Sequence, residues 1–235
     1  MKKLHYALLC FICILSACKT EPTEQAAKQM SEIRMRLKKA AALLPAKGQE
    51  KVINPKRGSL PQLFTLGEFS KKEELNILQI NRPHLAAMLE KNTSVKDADD
   101  QGLTIFSASG WEMLDPDPFE SNSETKYSHE KNVQDLYDKQ YLRVTQVVSY
   151  TPGEIENKTI KKSAEYKVWF WLIDLKNNQL LGARQVEGKS GQFVFTMIEK
   201  GEKYDGNAAL ASNARGDVNK KIEGILKEWA DKSFK

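Results

Sequence analysis

Residues 166–175, Tyr-Lys-Val-Trp-Phe-Trp-Leu-Ile-Asp-Leu, constrain this chain more than any other segment. Read as a strand, they point Tyr166, Val168, Phe170 and Leu172 to one side and Trp169, Trp171, Ile173 and Leu175 to the other. A strand that is apolar on both faces is stable only in the middle of a sheet covered on two sides. The chain must therefore supply neighbouring strands and enough helix to shield them.

The flanking sequence supplies both. Tyr141 to Tyr150 alternates, which predicts a strand with Leu142, Val144, Val148 and Tyr150 on one face and Arg143, Thr145 and Ser149 on the other. Asn177-Asn178 follows the central strand, and asparagine tolerates the positive φ of a tight hairpin turn. Gln179 to Glu187 and Gln192 to Ile198 complete a predicted four-stranded antiparallel meander over 141–198. Asp205-Gly206-Asn207 then opens a helix over 207–231, with Ala214, Val218, Ile222, Ile225, Leu226 and Trp229 as its apolar stripe.

Ahead of the meander, Met30, Ile33, Leu37, Ala40, Ala41 and Leu44 recur at helical spacing among lysines and arginines. Such a basic amphipathic helix packs on its own domain or lies on a membrane, and the first is the commoner use. Pro45 and Gly48 end it, and Pro45 to Pro61 reads as an irregular crossing. Ser70-Lys71-Lys72-Glu73 has the form of a capping box before Leu75, Ile77, Leu78 and Ile80, which predicts a short helix. A second short helix is expected from Pro83 to Lys91, a short strand at Thr104-Ile105-Phe106, and a long surface loop over 115–135. The expected whole is one α+β domain over 26–235, with a helical part (26–91), a loop region (92–140), the meander (141–198) and the C-terminal helix packed on the sheet (207–231).

The first residues set the location. Met1-Lys2-Lys3 precedes an apolar run from Tyr6 to Leu15. Ten helical residues span about 15 Å, half of the ~30 Å hydrocarbon core, so the run is an export signal rather than a stable span. It ends in Leu15-Ser16-Ala17-Cys18, which resembles the lipobox of bacterial lipoproteins. The resemblance covers the N-terminus alone. It implies diacylglycerol on the Cys18 thiol, removal of residues 1–17 as a signal peptide, and acylation of the new amine. Residues 18–25 become the lipidated tether. Lys19 after the cysteine resembles the pattern sorted to the outer membrane, facing the periplasm, in a Gram-negative cell.

Cys10, Cys13 and Cys18 are the three cysteines. If residues 1–17 leave, the Cys10-x-x-Cys13 pair leaves with them, and no intramolecular disulfide, thiol nucleophile or thiolate metal ligand remains. The apolar core must then hold the fold, and 40% apolar residues suffice for one. Lysine and arginine number 36 against 31 acids, an excess of +5 that is spread along the chain rather than concentrated. That pattern argues against a nucleic-acid partner.

Motifs for chemistry are weak. Asp97-Ala98-Asp99-Asp100-Gln101-Gly102 opens like an EF-hand loop, but Gln101 stands at its fifth position and Ala108 where the bidentate glutamate belongs, so a solvated acidic turn is expected. His84 and His129 belong to no H-x-x-x-H or H-E-x-x-H arrangement, and no metal or cofactor site is expected. Asp115 and Asp117, bracketed by prolines, read as loop punctuation. Asn92-Thr93-Ser94 and Asn157-Lys158-Thr159 match glycosylation sequons, a modification at odds with a bacterial lipobox.

Trp169 and Trp171 remain. If uncovered, this pair would be a binding surface for a sugar ring or a partner side chain; if covered, both are core. The expectation is a lipid-anchored envelope protein, a non-catalytic binding or assembly module for a protein or an envelope polymer, held to the membrane through Cys18. The alternative is an envelope hydrolase whose nucleophile or metal the sequence does not reveal.

Overall fold

The structure is a computed structural model that describes residues 24–55, 60, 63–66, 73–89, 133–156, 159–191 and 206–231. In chain order these form α1 (Glu24–Ala41), β1 (Phe64–Leu66), β2 (Glu73–Leu75), β3 (Ile77–Asn81), α2 (Arg82–Leu89), α3 (133–138), β4 (Tyr141–Thr151), β5 (Glu154–Glu156), β6 (Thr159–Lys162), β7 (Glu165–Asp174), β8 (Gln179–Lys189) and α4 (Gly206–Asp231). The class is α+β. Its four-stranded sheet runs β3-β4-β7-β8, while β1-β2 and β5-β6 are small two-stranded pairs.

Strand β7 lies between β4 and β8, antiparallel to both, as its two apolar faces require. The turn between β7 and β8 places Asn178 at φ 50°. Asp174 accepts hydrogen bonds there from the backbone N–H of Lys176 and Asn177 and from the Asn177 side-chain amide.

The sheet is mixed rather than the antiparallel meander expected. Its fourth strand is β3, parallel to β4 with Ile77 opposite Tyr141 and Asn81 opposite Thr145. Residues 192–198, expected to supply that strand, lie outside the described residues. The expected helix over 75–80 is replaced by β2 and β3. Ile77 packs on one side of the sheet while Leu78 and Ile80 pack on the other, so a strand buried on both faces produced a run that imitates helical spacing. The helix expected from Pro83 is α2, and the end of the expected 115–135 loop is helical from 133. Thr104-Ile105-Phe106 lies outside the described residues.

A bulge at Val148 corrects the faces of β4. The register passes from Val147↔Val168 to Ser149↔Lys167, leaving Val148 without a cross-strand partner and 49% exposed. The extra residue inverts the alternation beyond it. Tyr150 therefore turns to the face opposite Leu142 and Val144, where it stacks on Tyr166 at 4.4 Å between ring centroids.

Helices cover both faces. On one, Leu210, Ala214, Val218, Ile222, Leu226 and Trp229 of α4 pack on Tyr166, Val168, Phe170 and Leu172, with Ile225 partly buried beside them. On the other, Ala26, Met30, Ile33, Leu37 and Ala40 of α1 join Leu85 of α2 and Val133 and Leu136 of α3 over Leu142, Val144, Trp171 and Ile173. The apolar stripe of α1 is thus spent on its own domain. From α1 the chain crosses to the outer edge of β8, where Ile53 and Ala183 exchange backbone hydrogen bonds of 2.9 and 2.8 Å. Among the described residues, no helix is long and apolar enough to cross a membrane.

Candidate functional site

Trp169 and Trp171 share a face, with rings 6.2 Å apart and 20° from parallel, yet they have different surroundings. Trp171 is 0% exposed beneath the α1–α2–α3 layer. Its place is the core, and its Nε1–H has no hydrogen-bond partner among the described residues. Trp169 is only partly buried and packs against the same core.

Register places Gln146 of β4 and Gln185 of β8 directly across from Trp169. Direct cross-strand partners put their side chains on the same face, so a tryptophan stands between two amides, all three partly exposed. Arg82, at the start of α2, closes one side. Its guanidinium donates to Gln146 Oε1 at 2.9 Å and to the Pro45 carbonyl at 2.7 Å, and lies 5.7 Å from the Trp171 ring centroid.

Farther along the same face the sheet is polar. Lys167 and Glu187 pair at 2.9 Å, and Lys189 and Glu165 at 2.8 Å, all substantially exposed. Lys167 beside Glu187 holds that carboxyl below the usual carboxylate range. The open half of the face therefore combines one aromatic ring, amides that both donate and accept, and a guanidinium. An aromatic face of this kind can stack on a flat group, and the amides and guanidinium can hydrogen-bond its polar edges.

A second polar group lies on the α4 side. Arg143 and Thr145 are each 1% exposed and Asn81 8%, on neighbouring strands. Arg143 donates to Gln79 Oε1, and Thr145 Oγ1 donates to Asn81 Oδ1 at 2.6 Å. Burial pushes the Arg143 guanidinium down to about 10, against the opposing pull of Glu223, so it still carries its charge at neutral pH. The sequence assigned Arg143 to the polar face of a half-exposed strand; the structure buries it.

Cys18, His129, Asp97 to Gly102, Asp115, Asp117 and Asn92 lie outside the described residues. His84 is partly buried on α2. Among the described residues, no three His, Cys, Asp or Glu side chains are grouped to hold a metal ion. Sequence reasoning found Trp169 but missed Gln146, Gln185 and Arg82. The first two could have been found only from a known register, because neither belongs to a motif.

No family model and no curated protein matches this chain. A solved structure of a hypothetical protein from Chlamydia trachomatis overlaps 42% of the chain at 9% identity, with a TM-score of 0.23. The overlap spans 56% of that protein's length.

Proposed function

We propose that this chain is a lipid-anchored cell-envelope protein that works as a non-catalytic binding or assembly module for a protein or an envelope polymer. The supporting observation is the row Gln146–Trp169–Gln185 with Arg82 beside it, a partly exposed aromatic ring among hydrogen-bonding groups on an inner strand of the sheet. Within that row the tryptophan gives large contact area for little lost rotamer entropy.

The anchor in this reading is Cys18, with residues 1–17 removed and the domain outside the cytoplasmic membrane. In a Gram-negative cell Lys19 favours the outer membrane, with the domain in the periplasm. Two or three acyl chains at about 0.8 kcal/mol per buried CH₂ hold such a protein almost permanently. Cys18→Ala should abolish incorporation of labelled palmitate and leave the signal uncleaved. Labelling and cleavage that persist in the variant would refute the anchor. For the binding surface, Trp169→Ala should lose crosslinking in cells to whatever the native protein captures, while keeping the native fold and membrane fraction. Unchanged crosslinks would refute it.

A further inference from the structure

The α1 helix presents a second face that is exposed in the structure. Opposite the buried stripe run Glu24, Lys28, Ser31, Met35, Lys38 and Lys39, all exposed. Glu24 is the one acid on that ridge, against three lysines. The other acid of α1, Glu32, is turned aside, accepting from Tyr137 at 2.8 Å and lying 3.8 Å from Arg36. Met35 is 53% exposed in the middle of the lysines, a large apolar side chain without cover.

The ridge lies close to the anchor. Residues 19–23 alone separate Cys18 from α1. At about 3.5 Å per residue, even a fully extended tether keeps the first turn of the helix within about 20 Å of the lipidated sulfur. Lys38 and Lys39 are some fourteen residues farther, about 21 Å along the axis. A helix standing away from the membrane would carry them far beyond the Debye length of about 8 Å. A helix lying with this ridge downward would bring all three lysines within it.

We infer that the outward face of α1 docks on the anionic lipid headgroups of the membrane that holds Cys18, with Lys28, Lys38 and Lys39 at the phosphates and Met35 reaching the interface. The inference rests on the anchor proposed above. The tether supplies proximity and the lysines supply orientation. A lysine near an anionic surface contributes about fivefold in partitioning, so three favour the docked state by about a hundredfold.

The test uses the full lipidated protein in vesicles, with a fluorophore on the thiol introduced by Met35→Cys and a quencher on the lipid headgroups. Lys220→Cys, on the exposed side of α4 across the sheet, is the control position. In vesicles of phosphatidylglycerol and phosphatidylethanolamine, the probe at 35 should be quenched and the probe at 220 should not. Quenching at 35 should be lost in pure phosphatidylcholine, and lost in the Lys28→Gln/Lys38→Gln/Lys39→Gln variant. Equal exposure of the two probes on protein that floats with anionic vesicles would overturn the docking and leave the anchor standing. Protein that does not float with either vesicle would overturn the anchor, and the docking with it.

Discussion

Gly182 of β8 and Trp229 of α4 share one volume: a Cβ on Gly182 would stand 2.7 Å from Cη2 and Cζ3 of the indole. Six residues on, a Cβ at Gly188 would collide with Cγ2 of Val218 and lie 2.7 Å from the Ala214 carbonyl oxygen. These two glycines let a long helix approach β8 closely along much of its length. Gly188→Ala meets backbone as well as side chain and should cost about 1–3 kcal/mol, read as a lower urea midpoint at constant m. Gly182→Ala should cost less when combined with Trp229→Phe, which makes room for the methyl group. Additive losses in that pair would show that the indole is not the obstacle.

The two central tryptophans should separate in one denaturation series. Trp171→Ala empties a fully buried site and should cost about 3–5 kcal/mol. Trp169→Ala removes a partly exposed ring and should cost less than half as much. Trp171→Phe should be tolerated far better than Trp171→Ala, because phenylalanine refills most of the cavity and the lost indole N–H has no hydrogen-bond partner among the described residues. A Trp169→Ala variant as unstable as Trp171→Ala would place both rings in the core and remove the binding surface.

Acid should loosen the contact between α4 and the end of β8. Burial raises Asp217, but the Lys221 ammonium at 2.8 Å and the Lys189 backbone N–H at 3.0 Å outweigh it, leaving the carboxyl below its ordinary 3.8. A carboxyl with a depressed folded pKa contributes stability above its unfolded value and loses it as pH falls through the folded one. Stability should therefore decline below pH 3.8, and Asp217→Asn should flatten that part of the profile while lowering stability at pH 7. An unchanged acid slope in Asp217→Asn would assign the decline to other carboxyls, with Glu187 the next to replace.

Arg143 is charged at neutral pH and buried against Gln79. Arg143→Ala should destabilise by about 2–4 kcal/mol, since it leaves both a void and an amide oxygen stripped of a donor. Arg143→Lys keeps the charge but loses the planar fork, so it should recover only part of that loss. Full recovery by lysine would mean that charge alone matters there.

What could be read from the sequence was whatever depended on periodicity within one element. The two-faced apolarity of 166–175 and the stripes of α1 and α4 fall in that class, while the turn at Asn178 was legible from residue type. Two things did not. Ile77, Leu78 and Ile80 divide between the two cores, and a strand apolar on both faces lacks the alternation that distinguishes strand from helix. Val148 resembles its neighbours in composition, so the bulge that turns Tyr150 over is invisible until β4 is paired. The candidate surface was half legible for the same reason. Trp169 announces itself by residue type, whereas Gln146 and Gln185 matter only because pairing sets them beside it.

The parallel pairing of β3 with β4 also bears on how the chain is made. Each register pair across that seam is 64 residues apart in sequence, whereas β7 and β8 are joined by a tight turn. Loop closure and distant pairing slow folding, and local hairpins form first. A chain that crosses a membrane from its N-terminus delivers α1 and β3 long before β4 and β7 can cover them. On the export proposed above, their apolar surfaces stay unpaired until β4 and β7 have emerged. On that same proposal, a chain truncated before β8 lacks the last strand of the sheet and should be degraded rather than accumulate as a stable fragment.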